Sequence, residues 1–205
     1  MPEPGGTEAG PRVVRAAEGN RTWFDALHTD EHGLGWCQCV AWWVAGFEGW
    51  GERTAAENRA LREGLFDRGV YDGYFLVAGE RPVAWAQVAP RDALGRVARV
   101  FQRPPDPGAW AVGCLAVPPG ERRRGRARAL LTGVLEDVAR RGATSLEAFP
   151  KDLGGTAEEE GELWNGPLAL YHALGFEVVA RIPPRLVVRK AISGASPARS
   201  DPSDT

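Results

Sequence analysis

The chain has 205 residues, 43% of them hydrophobic and 25% charged, enough for one domain with a proper core and too few for two comfortable ones. Its 25 Lys and Arg against 27 Asp and Glu leave a formal charge of -2, which argues against a nucleic-acid partner, since that footprint needs a basic balance or a basic face wider than one loop. Three cysteines cannot all pair within the chain, Met1 to Arg12 has no apolar signal segment, and the most apolar window, Val40 to Phe47, falls far short of the ~18 residues of a membrane helix. A reducing, cytoplasmic setting with no membrane partner is expected.

In chain order, residues 1–11 and 193–205 are rich in Pro, Gly and Ser and poor in apolar side chains. They cannot offset the entropy of ordering, so disordered tails are expected on either side of a domain at 12–192. Arg12–Arg15 reads as a short strand, and Thr22 marks the start of a helix carrying Trp23, Phe24 and Leu27. The stretch Gly35 to Trp43 holds three of the eight tryptophans and two of the three cysteines. Cys37 and Cys39 have Cys-x-Cys spacing, yet no second Cys pair or clustered His completes a tetrahedral site. No metal is expected unless His28 and His32 converge on both sulfurs, and packing or pocket lining is the expected role. Thr54 and Glu57 form a capping box opening a helix to about Arg68, with Leu61, Leu65 and Phe66 inward and Gly69 at its end. Tyr74–Ala78 and Pro82–Val88, joined at Gly79-Glu80-Arg81, read as an antiparallel hairpin. Residues 90–107 are short polar and Pro-rich pieces expected to run as helix or loop over the surface.

Next comes the stretch on which the chain is organised, Trp110 to Leu131. Its apolar run stops at Pro118-Pro119-Gly120, which cannot continue a strand, and hands over to an arginine-rich loop. From there Ala127, Leu130, Leu131, Val134, Leu135 and Val138 mark one face of a helix that ends at Gly142. The start of such a helix carries unpaired N–H groups and partial positive charge. Gly125 lets a ligand approach the backbone, and Arg122, Arg123, Arg124, Arg126 and Arg128 can add charge-assisted bonds to a pyrophosphate. Charge alone fits a solvated face equally well; the order strand, Arg-x-x-Gly-x-Ala, amphipathic helix favours the anion site. Thr144–Pro150 reads as a strand parallel to the first, because a helix crossover intervenes. Residues 151–163, with Glu158, Glu159, Glu160 and Glu162, are a solvated loop or a lid that attracts a cation. Asn165-Gly166-Pro167 caps a short helix carrying Leu168, Leu170, Tyr171 and Leu174 to Gly175, and residues 176–180 and 185–189 close the chain as two strands. The order predicts an α+β fold with a mixed, mostly antiparallel sheet.

Leu115-Ala116-Val117 followed by Arg122 to Ala127 resembles the Arg/Gln-x-x-Gly-x-Gly/Ala loop of the GNAT N-acetyltransferase superfamily. Leu170-Tyr171-His172-Ala173-Leu174-Gly175-Phe176 resembles that family's Leu-Tyr-x-x-x-Gly-Phe motif, and the resemblance spans Arg12 to Ala191. It implies a single domain whose sheet, flanked by helices, splays at its centre to admit acyl-CoA. It implies acetyl-CoA as co-substrate and direct transfer to the amine of a small-molecule or peptide acceptor; a homodimer is compatible with it. Leu115, Ala116 and Val117 match the strand that holds pantetheine, and Arg122, Arg123, Arg124, Gly125, Arg126 and Ala127 match the pyrophosphate loop. Tyr171 matches the acid that protonates the departing thiolate. Two departures stand out: Ala127 replaces the second Gly, and Trp164 occupies the place of a common Asn, leaving Asn165 one residue closer as the cofactor contact. A base is also needed, because an ammonium has no lone pair. Glu147, on one strand face with Phe149, is the candidate, its pKa expected to rise among apolar neighbours. Trp36, Cys37 and Trp85 are candidates for the acceptor pocket, among tryptophans of which many are core. The competing functions are a non-catalytic acyl-CoA-binding regulatory module and, less compatible with the charge, a basic helix on nucleic-acid phosphates.

Overall fold

The computed structural model describes residues 10–29, 35–44, 46, 49–152 and 164–192. The expected tails, apart from Gly10 and Pro11, lie outside these, as do His32 and the acidic run 153–163. The elements are β1 (Arg12–Arg15), α1 (Thr22–Leu27), α2 (Ala55–Asp67), β2 (Gly73–Ala78), β3 (Arg81–Pro90), α3 (Gly95–Phe101), β4 (Ala109–Ala116), α4 (Arg126–Arg140), β5 (Ser145–Ala148), α5 (Leu168–Ala173), β6 (Glu177–Ile182) and β7 (Arg185–Ala191). They build one seven-stranded sheet in the order β1-β2-β3-β4-β5-β7-β6. Every neighbouring pair is antiparallel except β4 with β5, which run parallel across the α4 crossover. This is the expected α+β class.

Local chemistry accounts for the boundaries. Thr54 and Glu57 form the capping box, with Glu57 N donating to Thr54 Oγ1 at 3.2 Å and Thr54 N to Glu57 Oε2 at 2.7 Å. α4 follows the periodicity, burying Leu130, Leu131, Val134 and Val138 against the sheet; each such side chain contributes about 1.5–3 kcal/mol. Alternation along β2 divides the core, with Tyr74 and Leu76 under α4 and Phe75 and Val77 on the opposite face with Phe24 of α1 and Leu65 of α2.

α2 carries Leu65 into the core with Leu61 and Phe66 packed half-buried against it, as expected, and also buries Arg62 beneath the Phe24 ring, 3.9 Å from its centroid. Residues 90–107 form the expected surface helix, with Asp92, Arg99 and Gln102 exposed, but its inner face is core: Leu94, Val97 and Phe101 pack with Trp42 and Phe149. One expectation fails. The N-cap of α5 is Pro167, not Asn165.

The alternation breaks once on β4. Gln87 faces Cys114 and Val88 faces Val112, so Gly113 is an extra residue without a partner, a β-bulge. A bulge exchanges the faces of the residues beyond it. Trp110, Val112 and Leu115 therefore pack on the α4 side, and Cys114 and Ala116 on the other. A Cβ at Gly113 would come 1.9 Å from Gln87 Oε1 and 2.9 Å from Trp42 Cδ1. Gly113→Val is accordingly expected to destabilise by about 1–3 kcal/mol through overpacking, read as a lowered melting temperature; an unchanged melting temperature would show that Gln87 and Trp42 yield freely.

Candidate active site

Pairing of β4 with β5 covers only Ala109–Val112 against Ser145–Ala148, while β4 continues to Ala116. Beyond Ala148 the chain stays with β7, Pro150 O accepting from Leu186 N at 2.9 Å. The parallel strands therefore part after Val112. Into the gap comes the segment before α5. Gly113 O accepts from Trp42 Nε1 at 2.6 Å and from Asn165 Nδ2 at 2.8 Å, and Leu115 N donates to Trp164 O at 2.8 Å.

A cleft of about 630 Å³ follows the α4-facing end of β4 outward. One end is the loop before α4, where Gly125 (φ 73) is the N-cap with no side-chain cap. The first turn of this 15-residue helix thus presents unfilled N–H groups, and nothing lies within 4 Å of where a Gly125 Cβ would stand. Arg122, Arg123, Gly125, Arg126 and Ala127 border the cleft; Arg124 does not. Arg122 Nε donates to Val117 O at 3.1 Å, folding the loop back on β4. Arg126 Nε is engaged by Glu121 Oε2 at 3.0 Å, and the same buried carboxylate accepts from Arg81 at 2.9 Å. Glu121 thus orders the loop and takes part of the Arg126 charge from any phosphate. This roomy, donor-rich helix start suits a pyrophosphate.

At the other end Trp36 and Trp50 meet edge to face at 5.0 Å. Trp36, 38% exposed, and Cys37 border the cleft with Cys39 and Cys114. Burial pushes the Cys37 thiol up to about 11. Among the described residues no group of His, Cys, Asp and Glu is arranged to hold a metal ion.

Besides Arg124, four expected site residues do not border the cleft. Trp85 is 0% exposed and packed among Phe24, Phe75 and Tyr71 at 5.1, 4.7 and 6.2 Å, so it is core and not acceptor lining. Asn165 does not border the cleft: its amide holds Gly113 O, its Oδ1 accepts from Arg185 at 2.7 Å, and its own carbonyl accepts from the Tyr171 hydroxyl at 2.5 Å. Tyr171 is enclosed, and burial, with Cys114 nearby, holds its phenol above the ordinary pKa. Glu147 is 0% exposed and meets guanidinium groups instead of apolar neighbours: Arg103 at 2.9 Å, Arg91 at 3.2 Å and Arg189 at 3.8 Å. It pins α3's approach and β7 to β5, away from the cleft. Glu147→Ala is expected to cost about 3–5 kcal/mol by stranding buried charge, on the order of 10 °C in melting temperature. Retained stability with a shifted pH–rate profile would return Glu147 to the chemistry.

Residues that the periodicity hid are Cys114 and Glu121, while Cys39, expected to pack or line a pocket, borders the cleft with Trp50. Cys114 reads as one more apolar strand residue unless Gly113 is taken as a bulge; the signal for Glu121 was a lone carboxylate ahead of the arginines.

No curated protein matches the sequence significantly. The fold is similar to solved structures: the ribosomal-protein-S18-alanine N-acetyltransferase of Escherichia coli (15% identity, TM-score 0.55, 92% of this chain and 97% of that one), the PaiA N-acetyltransferase of Thermoplasma acidophilum in complex with coenzyme A (9%, 0.55, 89% and 99%), and YncA of Salmonella typhimurium with acetyl-CoA (13%, 0.54, 94% and 100%). The family model described as acetyltransferase (GNAT) family matches residues 36–157. That is more than half of the chain, and the chain belongs to the GNAT acetyltransferase family.

Proposed function

We propose that this chain moves an acetyl group from acetyl-CoA directly to the amine of a small-molecule or peptide acceptor, in a reducing, cytoplasmic setting. One observation carries the reading: a single cleft joins the N-terminus of α4, the free end of β4 and the aromatic rim at Trp36 and Trp50. An anion site, an extended slot and a partly apolar end in that order match a pyrophosphate, a pantetheine arm and an acceptor.

Acetyl-CoA supplies the activated thioester; the chain grips and orients it. The first N–H groups of α4 with Arg122 and Arg123 hold the pyrophosphate. Leu115 N–H is the backbone donor for the thioester oxygen once Trp164 O has left it, the kind of preorganised group worth ~3 kcal/mol in acyl transfer. Tyr171 stays protonated in its buried setting, and its hydroxyl hydrogen has to turn from Asn165 O to reach a departing thiolate. With Glu147 held by arginines, water in the cleft takes the amine proton.

A second reading, an acyl-CoA-binding module without turnover, is favoured by the same two contacts, since Trp164 O and Asn165 O already occupy both donors. Measuring thiol release over small amines, aminoglycosides, amino acids and peptides separates the two. Release with any acceptor supports transfer, whereas tight calorimetric binding of acetyl-CoA with no release supports the module. Arg122→Ala is expected to weaken CoA binding about ten-fold, the loss of one charge-assisted phosphate bond; unchanged affinity would remove the loop from the site. Tyr171→Phe is expected to cut kcat at least about 100-fold at unchanged CoA affinity. A lowered melting temperature with kcat kept would make Tyr171 a support for Asn165 instead of the acid.

A further inference from the structure

Cys37, Cys39 and Cys114 border the cleft together, although Cys114 comes from β4, 75 residues after Cys39. All are free thiols. Cys39 Sγ lies 2.9 Å from Cys114 Sγ, inside the distance at which two sulfurs rest in packing contact. On its other side Cys39 Sγ is 3.1 Å from His28 Nε2. His28 Nδ1 lies 3.0 Å from Phe24 O; a carbonyl only accepts, so the neutral ring carries its proton on Nδ1 and turns a lone pair to Cys39. Face-to-face stacking on Phe24, with centroids 3.4 Å apart, holds the imidazole plane. Two thiols are thus within bond-forming reach, one beside a base, in a cleft whose proposed ligand itself ends in a thiol.

We propose that Cys39 and Cys114 form a dithiol exchange site for the disulfide of CoA, which seats in the cleft and leaves the pair joined as a Cys39–Cys114 disulfide. The inference rests on the reading of the cleft as a CoA site. Cys114 stands next to Leu115 and Ala116, along which the pantetheine arm runs, so it attacks first. Its sulfur bonds to one sulfur of the CoA disulfide, the bond between the two CoA sulfurs breaks, and one CoA thiol leaves. Cys39 then attacks the Cys114 sulfur, breaking the mixed disulfide and releasing the second CoA thiol. The two protein thiols give up two electrons and two protons, and both protons end on the CoA thiols. His28 accepts the one from Cys39 and passes it to the departing thiolate. Burial and the neighbouring Cys114 hold the Cys39 thiol well above its ordinary pKa, so attack by Cys39 depends on His28 taking its proton. Closure ties the 35–44 segment, which supplies Trp36 and Cys37, to β4.

The test uses the full chain, exposed separately to CoA disulfide and to oxidised glutathione, quenched by alkylation and mapped by non-reducing peptide mass spectrometry. The expected product is a peptide linking Cys39 to Cys114, reversed by dithiothreitol and formed at least about ten-fold faster with CoA disulfide. Cys39→Ser is expected to trap a CoA adduct on Cys114. Equal rates with the two disulfides, an adduct on Cys37, or no link at all overturns the proposal. The wild-type link is read without any variant, so a variant that fails to fold does not shield the idea. Thermal stabilisation by reduced CoA is measured on the same protein: stabilisation without the link sinks the exchange site alone, and its absence sinks the CoA reading of the cleft as well.

Discussion

The parting of β4 from β5 after Val112 is the constraint on which the rest of the molecule depends. A parallel pair that stops pairing leaves backbone groups exposed inside the fold, and buried groups of that kind must find partners. Gly113 resolves the problem. As a bulge it turns its carbonyl into the gap, where Trp42 and Asn165 both donate to it. Because it lacks a Cβ, Gln87 and Trp42 can close over it. The same bulge sends Cys114 and Ala116 to the α1 and α2 face, which is how thiols from β4 and the 35–44 segment come together.

Around that peg the site is built in two halves of different character. The α4 end is electrostatic: helix N–H groups and arginines, ordered by the buried Glu121, which grips Arg81 and Arg126. The other end is held by packing and aromatic contacts, with Trp36 against Trp50 and Trp42 against Phe101, Phe149 and Trp164. The segment before α5 bridges the halves. Arg185 stacks 4.5 Å from the Trp164 ring centroid while donating to Asn165 and to Phe149 O, so β7 supports the strap that lies across the gap.

Most of the architecture was readable from residue order alone, because it rests on local rules. The Thr54 capping box, the Gly79-Glu80 turn, the 3.6-residue face of α4 and the glycine at position 142 each act within a few residues of themselves. The expectation of an anion site at Arg122–Ala127 is equally local, since a helix start and a glycine are defined by their neighbours. Trp36 and Cys37 have side chains that suit a pocket wall, and the structure brings both to the cleft.

What sequence could not supply were partners distant along the chain. Glu147 has the same alternating strand pattern whether it faces a cleft or three arginines, and those arginines come from positions 91, 103 and 189. Trp85 is equally apolar in a pocket or in a core, and only the closure of Phe24 and Tyr71 over it decides between them. Periodicity records which face a side chain takes, and composition records what it can bond to. Which groups arrive opposite it is set by strand order and by a single inserted residue at Gly113, and that belongs to tertiary structure alone.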